Sequence, residues 1–373
     1  MSNDIISNIK TNLVLARESQ KKIIFTISTT SGGRLESYST PVRIYKEYFI
    51  FGCVVFDENI LSDIINVTDG NVDHILVDSE KKLHLDVLYE KNIKENTLEI
   101  NDVLTGNLSK IVFELANKSS ISEFKPNDLT VDAAWSLLSN KLGYLSGKKA
   151  AIIGAGNIGS KLALKLVESG VEVSMYRRDF HTCSIVANAI NLIKPNSTLA
   201  SANSSKDIMN ACFMTDIIIG TSTSSSLITD KLLSVAKRNL FLLDVGKGNI
   251  STAGLEYGKK SKLDMVRLDV TPNLISTVVN SIETYDMCQK NFGRKKIKNR
   301  IYIVSGGYYG EPNDIVVDSI HSPKLVYGIA DGKGNIIHKL NKIQSNLLSE
   351  FKDLYNIYEW RLWYSYPSKN RQF

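Results

Sequence analysis

The sequence predicts an α/β protein built on a doubly wound parallel sheet, with a separate α/β region ahead of it and an extension behind it. Three observations carry this. The stretch Ser146–Asp179 (SGKKAAIIGAGNIGSKLALKLVESGVEVSMYRRD) reads as strand, glycine turn, helix, strand. Short apolar runs then keep alternating with helical patterns as far as Val270. The composition, 43% hydrophobic and 23% charged over 373 residues, is that of a globular chain of two or three domains.

The organising stretch opens on Ala150–Ile153, an apolar run that reads as a buried parallel strand. Gly154-Ala155-Gly156-Asn157-Ile158-Gly159 follows at once. A helical face of Ile158, Leu162, Leu166 and Val167 comes next, Gly170 ends it, and Val171–Met175 is a second strand. A G-x-G-x-x-G turn between strand and helix is the dinucleotide-binding (Rossmann) fingerprint. Gly154 makes the tight turn, Gly156 leaves room for a pyrophosphate, and Gly159 lets the helix lie close to the strand. The helix start offers free N–H groups and a positive dipole end to phosphates.

The end of the second strand bears on which dinucleotide binds. NAD sites usually place an acid there for the ribose 2′-OH. This chain has Tyr176-Arg177-Arg178, then Asp179. Two guanidiniums suit a 2′-phosphate, so NADP is expected; as plain solvated arginines they would leave NAD open through Asp179.

Charge and cysteine usage set bounds. The net charge is +6, and the basic run Arg294–Arg300 lacks interleaved aromatics, so it reads as a solvated turn and no nucleic-acid partner is expected. Four cysteines without C-x-x-C and five scattered histidines suggest neither disulfide framework nor metal site. Cys53, inside FIFGCVVF, reads as a small core residue. The N-terminus has no apolar leader run, and no stretch reaches the length of a membrane span. A cytoplasmic location without membrane partners is the expectation.

Ahead of the fingerprint, residues 3–18 read as a helix with Ile5, Ile6, Ile9, Leu13 and Leu15 as its apolar positions. Lys22–Ser28, Glu47–Phe56 and Asp73–Asp78 read as strands, and Thr105–Leu115 as a helix. Two polar clusters, Ser28–Arg34 and Arg43–Lys46, could touch a substrate, but both read more simply as loops or hairpins. Asn127 or Asp128 should cap a helix over Leu129–Lys141, with Asp132 in its first turns.

Behind the fingerprint, His181–Ile193, Asp207–Phe213 and Leu232–Val235 read as helical. Ser197–Ser201, Asp216–Gly220, Leu240–Val245 and Met265–Val270 read as strands, giving five or six parallel strands. Ligands of such sheets sit beyond the strand carboxyl ends, where two further tips lie. Gly220–Ser224 offers small hydroxyl residues, including Thr221 and Ser222, to a nicotinamide ribose. Asp244–Asn249 carries Lys247 between glycines; it could donate to a reacting carbonyl or simply be a solvent lysine. Thr271-Pro272-Asn273 should cap a helix over Leu274–Gln289. Beyond it come a strand at Ile301–Val304, a hairpin turning at Asp331-Gly332 and a helix over Ile343–Tyr358. The aromatic, basic tail could make a homodimer contact or dock on its own domain.

LSGKKAAIIGAGNIGSKLALKL, YRR, DIIIGTSTSS and LFLLDVGKG together resemble the cofactor domain of the shikimate dehydrogenase and glutamyl-tRNA reductase group, over about residues 127–290. The resemblance implies a substrate domain ahead of the cofactor domain. It also implies cofactor roles for Gly154, Gly156, Asn157, Ile158, Gly159, Arg177, Arg178, Thr221 and Ser222. The first family carries an early Ser-x-Ser motif with a catalytic Lys and Asp downstream, an arrangement not found in residues 1–120, and Cys53 lies in an apolar run, unlike the nucleophile of the second. Neither specific activity carries over.

The expected organisation is an N-terminal α/β substrate domain (1–125), an NAD(P)-binding Rossmann domain (126–290) and a C-terminal extension packing on the first (291–373). The expected function is NAD(P)-dependent hydride transfer to or from a carbonyl, hydroxyl or imine of a small polar substrate, with Lys247 as the catalytic candidate. The alternatives are a resident-NAD cyclase or hydrolase, or a non-catalytic dinucleotide sensor.

Overall fold

A computed structural model describes residues 2–29, 36–56, 58–80, 107–298 and 300–357. The chain forms two compact units, Met1–Val278 and Val279–Phe373. The boundary falls inside the helix Thr271–Asp286, and the boundary expected at residue 290 lies just past that helix.

The first unit holds two sheets. The N-terminal one comprises β1 (Lys22–Ser28), β2 (Tyr38–Ile44), β3 (Tyr48–Val54), β4 (His74–Asp78) and β5 (Ser120–Phe124), in the order β2-β3-β1-β4-β5. All pairings are parallel except β2 with β3. Its central strands are nearly continuous apolar runs because both faces are covered. Phe25, Phe49 and Phe51 stack edge to face at 5.1 and 5.9 Å. Helix α1 (Ser2–Glu18) adds Ile5, Ile9, Leu13 and Ala16 to this core, whereas Leu15 points to solvent. Helices α2 (Glu58–Thr68) and α3 (Leu108–Leu115) pack on the same cluster.

Several elements here differ from the sequence reading. Residues 38–44, for which the sequence suggests no strand, form an antiparallel edge strand with an irregular register between Thr40 and Arg43. Pro41 lies in that interval, and an edge or bulge is where a strand tolerates proline. Arg43 is therefore in a strand, and only Tyr45–Glu47 make the turn, closed by Tyr45 N–H donating to Tyr48 O at 2.9 Å. Helix α2 and strand β5 have no counterpart in the sequence reading either. Of the Ser28–Arg34 cluster, only Ser28 and Thr29 lie within the described residues.

The second sheet is wholly parallel and six-stranded. It comprises β6 (Lys149–Ile153), β7 (Glu172–Tyr176), β8 (Ala202–Ser205), β9 (Ile217–Gly220), β10 (Phe241–Asp244) and β11 (Asp264–Arg267), in the order β11-β10-β9-β6-β7-β8. Alternation along β6 shows the double winding directly. Ala150 and Ile152 join one hydrophobic cluster, while Ala151 and Ile153 join another on the opposite face. The expected strand Ser197–Ser201 is not formed; the strand beside β7 begins at Ala202, with Ser201 O accepting from Val173 N at 2.9 Å just ahead of it. Strand β11 stops at Arg267, three residues short of the expected end, and an additional helix, Thr252–Lys260, precedes it.

Helix α4 (Pro126–Leu142) starts with Pro126 in its first turn and has no side-chain cap from Lys125. Neither Asn127 nor Asp128 caps it. Instead Glu80, two residues past β4, accepts the Asn127 N–H at 2.8 Å. Helix α5 (Asn157–Glu168), which follows the glycine turn, lies against α4 with ion pairs along the contact. Lys161 meets Asp128 at 2.6 Å and Glu80 at 3.2 Å, and Lys165 meets Asp132 at 2.8 Å. Asp132 is thus a packing partner.

The second unit is a four-stranded sheet of β12 (Gly293–Lys298), β13 (Ile301–Ser305), β14 (Ile315–Val317) and β15 (Val326–Ile329), in that order. The helix Lys342–Tyr355 packs Leu347, Leu348 and Phe351 against Ile303, Ile315 and Ile329. A capping box of Asn341 and Gln344 starts that helix. The basic run is the edge strand β12, with its lysines largely solvent-facing, a placement that discourages edge-to-edge pairing. The aromatic tail lies outside the described residues. Among the described residues no helix is long and apolar enough to cross a membrane.

Candidate functional site

The carboxyl ends of β6, β7 and β9 border a cleft of about 640 Å³. Its walls include Gly154, Ala155 and Gly156 in the centre, Tyr176–Asp179 at one end, and Thr221–Ser224 with Leu227 at the other. This is the crevice that doubly wound sheets form where the strand order reverses.

The glycines of the turn do different work. Gly154 has φ +113°, and a Cβ there would lie 2.6 Å from Ser222 N. A Cβ on Gly159 would lie 2.3 Å from Gly154 O, so that glycine lets α5 approach the turn. Gly156 has φ −90°, which any residue tolerates, and a Cβ there would have nothing within 4 Å. Neither strain nor crowding demands glycine at 156; the space beside it is open to the cleft. Gly156 also offers no side-chain cap to the twelve-residue helix α5, so the first N–H groups there are left for another acceptor. These features fit a dinucleotide pyrophosphate.

Arg177 is half-buried and donates to Ala155 O at 3.2 Å, which lays its guanidinium across the glycine turn. Arg178 is exposed on the same wall. Asp179 is already committed. It caps the helix Phe180–Ile193 by accepting from Thr182 N at 3.1 Å and from the Thr182 hydroxyl. Those hydrogen bonds, with Arg177 nearby, hold its carboxyl below the ordinary range. At the opposite end, the Thr221 hydroxyl donates to Gly154 O at 2.6 Å, tying the β9 tip to the turn.

The cleft gathers Gly154, Gly156, Arg177, Arg178, Thr221 and Ser222 from the residues singled out in the sequence. Asn157 and Ile158 stand at the start of α5, and the Ile158 side chain packs on the sheet core, leaving its N–H as what it can offer. Lys247 is not in the cleft wall. It lies in the loop after β10, exposed, at φ +59° between two glycines. A left-handed lysine costs free energy that the surrounding loop must offset. Buried Asp244 does so by accepting from Gly248 N at 2.8 Å and Asn249 N at 3.4 Å.

Lys247 has company that sequence spacing could not reveal. It is one of the charges holding Asp269 below its usual carboxylate value, after the hydrogen bonds from Thr271 and together with Arg43. Arg43 Nε donates to Thr271 Oγ1 at 3.1 Å, and Tyr45 OH donates to Thr271 O at 2.8 Å. Burial pushes the Tyr45 phenol up, Arg43 opposes this and Asp269 adds to it. Thus Arg43 in the edge strand β2 and Tyr45 just past it reach Thr271, which opens the helix after β11, more than two hundred residues along the chain. In the two polar clusters, Lys46 is almost fully exposed and pairs only loosely with Glu47 at 4.0 Å, while Arg34 lies outside the described residues. Cys53 is fully buried, and burial pushes its thiol up, which suits a core residue.

Residues 123–275 match the family described as D-isomer specific 2-hydroxyacid dehydrogenase, NAD binding domain. Similar solved structures include a dipicolinate synthase chain from Bacillus halodurans, 13% identical, covering 63% of this chain and 70% of that one, with TM-score 0.35. A shikimate dehydrogenase in complex with NADP+ is 14% identical over 72% of this chain and 90% of that one, with TM-score 0.40. D-lactate dehydrogenase with NAD+ from Lactobacillus jensenii is 14% identical over 66% and 79%, with TM-score 0.30. At these scores no function passes from those structures to this chain. A search of the curated proteins found no match. The stretch 123–275 is a Rossmann-type NAD(P)-binding domain, and it is the cofactor domain of a dehydrogenase or reductase.

Proposed function

We propose that the protein transfers hydride to or from a carbonyl, hydroxyl or imine of a small polar substrate, with NADP as the preferred cofactor. The observation that carries the reading is Gly156, whose missing side chain opens onto the cleft although its backbone would accept any residue. The bound nicotinamide supplies the hydride chemistry; the chain binds, orients and moves a proton. In this reading the turn Gly154–Gly159, with the N–H groups of Asn157 and Ile158, receives the pyrophosphate. Arg177 and Arg178 take a 2′-phosphate, because Asp179 is occupied as a helix cap. Thr221 and Ser222 line the nicotinamide half. Lys247 hydrogen-bonds the reacting oxygen, with Asp269, Arg43 and Tyr45 close by. Residues 1–125 act as the substrate domain, and the protein works in the cytoplasm.

The test has two stages. Calorimetric titration with NADP and NAD should show saturable binding, tighter for NADP. A panel of small oxo and hydroxy acids, imines and aldehydes, followed by nicotinamide absorbance, should then yield a turned-over substrate. Absence of binding to either dinucleotide sinks the proposal, and tighter NAD binding sinks its cofactor preference.

A further inference from the structure

Asn249 is 1% exposed and uses its whole carboxamide on one neighbouring loop. Its Oδ1 accepts from Ser222 N at 3.0 Å, and its Nδ2 donates to Ser222 O at 2.8 Å and Ser224 O at 2.9 Å. The partners fix the amide orientation, since two carbonyls require the NH₂ and one N–H requires the oxygen. The space for this side chain is made by two glycines. A Cβ on Gly220 would lie 2.6 Å from Asn249 Oδ1, and one on Gly246 would lie 2.7 Å from it and 2.3 Å from Ser222 O. The loop held this way is the wall of the cleft opposite the arginines. The β9 ladder ends with Thr221 N donating to Ile153 O at 2.9 Å, and beyond it Asn249 supplies partners for the loop backbone.

We propose that Asn249 is a positioning residue that fixes the Thr221–Ser224 loop for the nicotinamide half of the cofactor. The inference rests on the cofactor reading above. Asn249 does not line the cleft itself and acts through Ser222 and Ser224, which do. A rigid loop holds its hydroxyls in place before the ligand arrives, so the ordering cost is not charged against binding. The adenosine half rests on Arg177 and the glycine turn, which Asn249 does not contact.

The two halves give a test that separates positioning from general stability. Asn249→Asp keeps the shape but sets a carboxylate against two carbonyl oxygens. Binding of NADP, NAD, 2′,5′-ADP and 5′-ADP is measured by calorimetry on wild type and variant. The expected result is a loss of about tenfold or more in affinity for whichever dinucleotide wild type prefers, with its adenosine fragment unchanged. Should that variant not fold, Gly246→Ala presses on the same contacts from an exposed loop position, and the same split is expected. Equal losses for dinucleotide and fragment, or no loss in either, overturn the proposal. If wild type binds the fragments but gains nothing from the nicotinamide half, the cofactor reading has failed and this inference with it.

Discussion

A methyl group added at Gly154 and one added at Gly156 would have opposite consequences. At Gly154 it meets Ser222 backbone and a left-handed φ, so Gly154→Ala should cost about 1–3 kcal/mol in thermal unfolding. At Gly156 it meets nothing in the protein, so Gly156→Val should fold with nearly wild-type stability yet lose dinucleotide binding in calorimetry. An unchanged affinity in a folded Gly156→Val protein would remove the pyrophosphate from this turn. Arg177 bears on the choice of cofactor. A charge-assisted hydrogen bond is worth about 1.5–3 kcal/mol, so Arg177→Ala should lower the preference for NADP over NAD by about tenfold or more. Equal NADP and NAD affinities in wild type would instead leave Arg177 as no more than a strut on Ala155 O.

At the scale of elements, the sheet is fastened at its amino-terminal side as well. Asp216, just ahead of β9, accepts from Lys149 N at 2.9 Å and from Lys237 Nζ at 2.8 Å, which joins β9 to β6. Burial works against the charged carboxylate, but hydrogen bonds from Lys237 and Lys149 and the nearby ammonium charges outweigh it and lower its pKa. A lowered folded-state pKa means the folded protein binds this proton less tightly than the unfolded chain does. The stabilisation is therefore complete above about pH 4 and is lost as pH falls through the folded value. Asp216→Asn should reduce stability at pH 7 by about 1–2 kcal/mol and flatten the acid limb of the stability curve, read by denaturant unfolding at several pH values. Strands β6, β9 and β10 were legible because each is a short apolar run before a glycine or small polar tip, as in DIIIG and LFLLDV, whereas β8, with the sequence ANSS, has no such run and was misplaced. Strands β2 and β5 were not, because YSTPVRI and SISEF are half-exposed at sheet edges, and tertiary pairing rather than propensity decides them. The cap of α4 was illegible for a related reason. Glu80 reaches Asn127 across the fold, and no local pattern records that.

Across the whole first unit, the cofactor cleft was legible while the surroundings of Lys247 were not. The cleft is written in one local motif, whereas Arg43, Tyr45, Lys247, Asp269 and Thr271 come from segments that only folding brings together. That convergence sharpens the expectation for Lys247. Its left-handed backbone is stabilised by Asp244, and its ammonium sits within electrostatic reach of Asp269 at the edge reached by Arg43. Lys247→Met keeps the length and removes the charge. Turnover should fall by about a hundredfold, the usual effect of losing one donor to developing charge. NADP affinity should stay near wild type, because Lys247 lies outside the cleft wall. Arg43→Met gives the contrast, since that guanidinium is tied to Thr271 and should serve placement of the substrate more than proton movement. Its loss should raise KM more than it lowers kcat. Steady-state kinetics on the two variants, with a cofactor titration of each, resolves the roles. Near-normal turnover in Lys247→Met would return that lysine to solvent, and Tyr45, whose phenol donates to Thr271 O at 2.8 Å, becomes the group to test as proton donor.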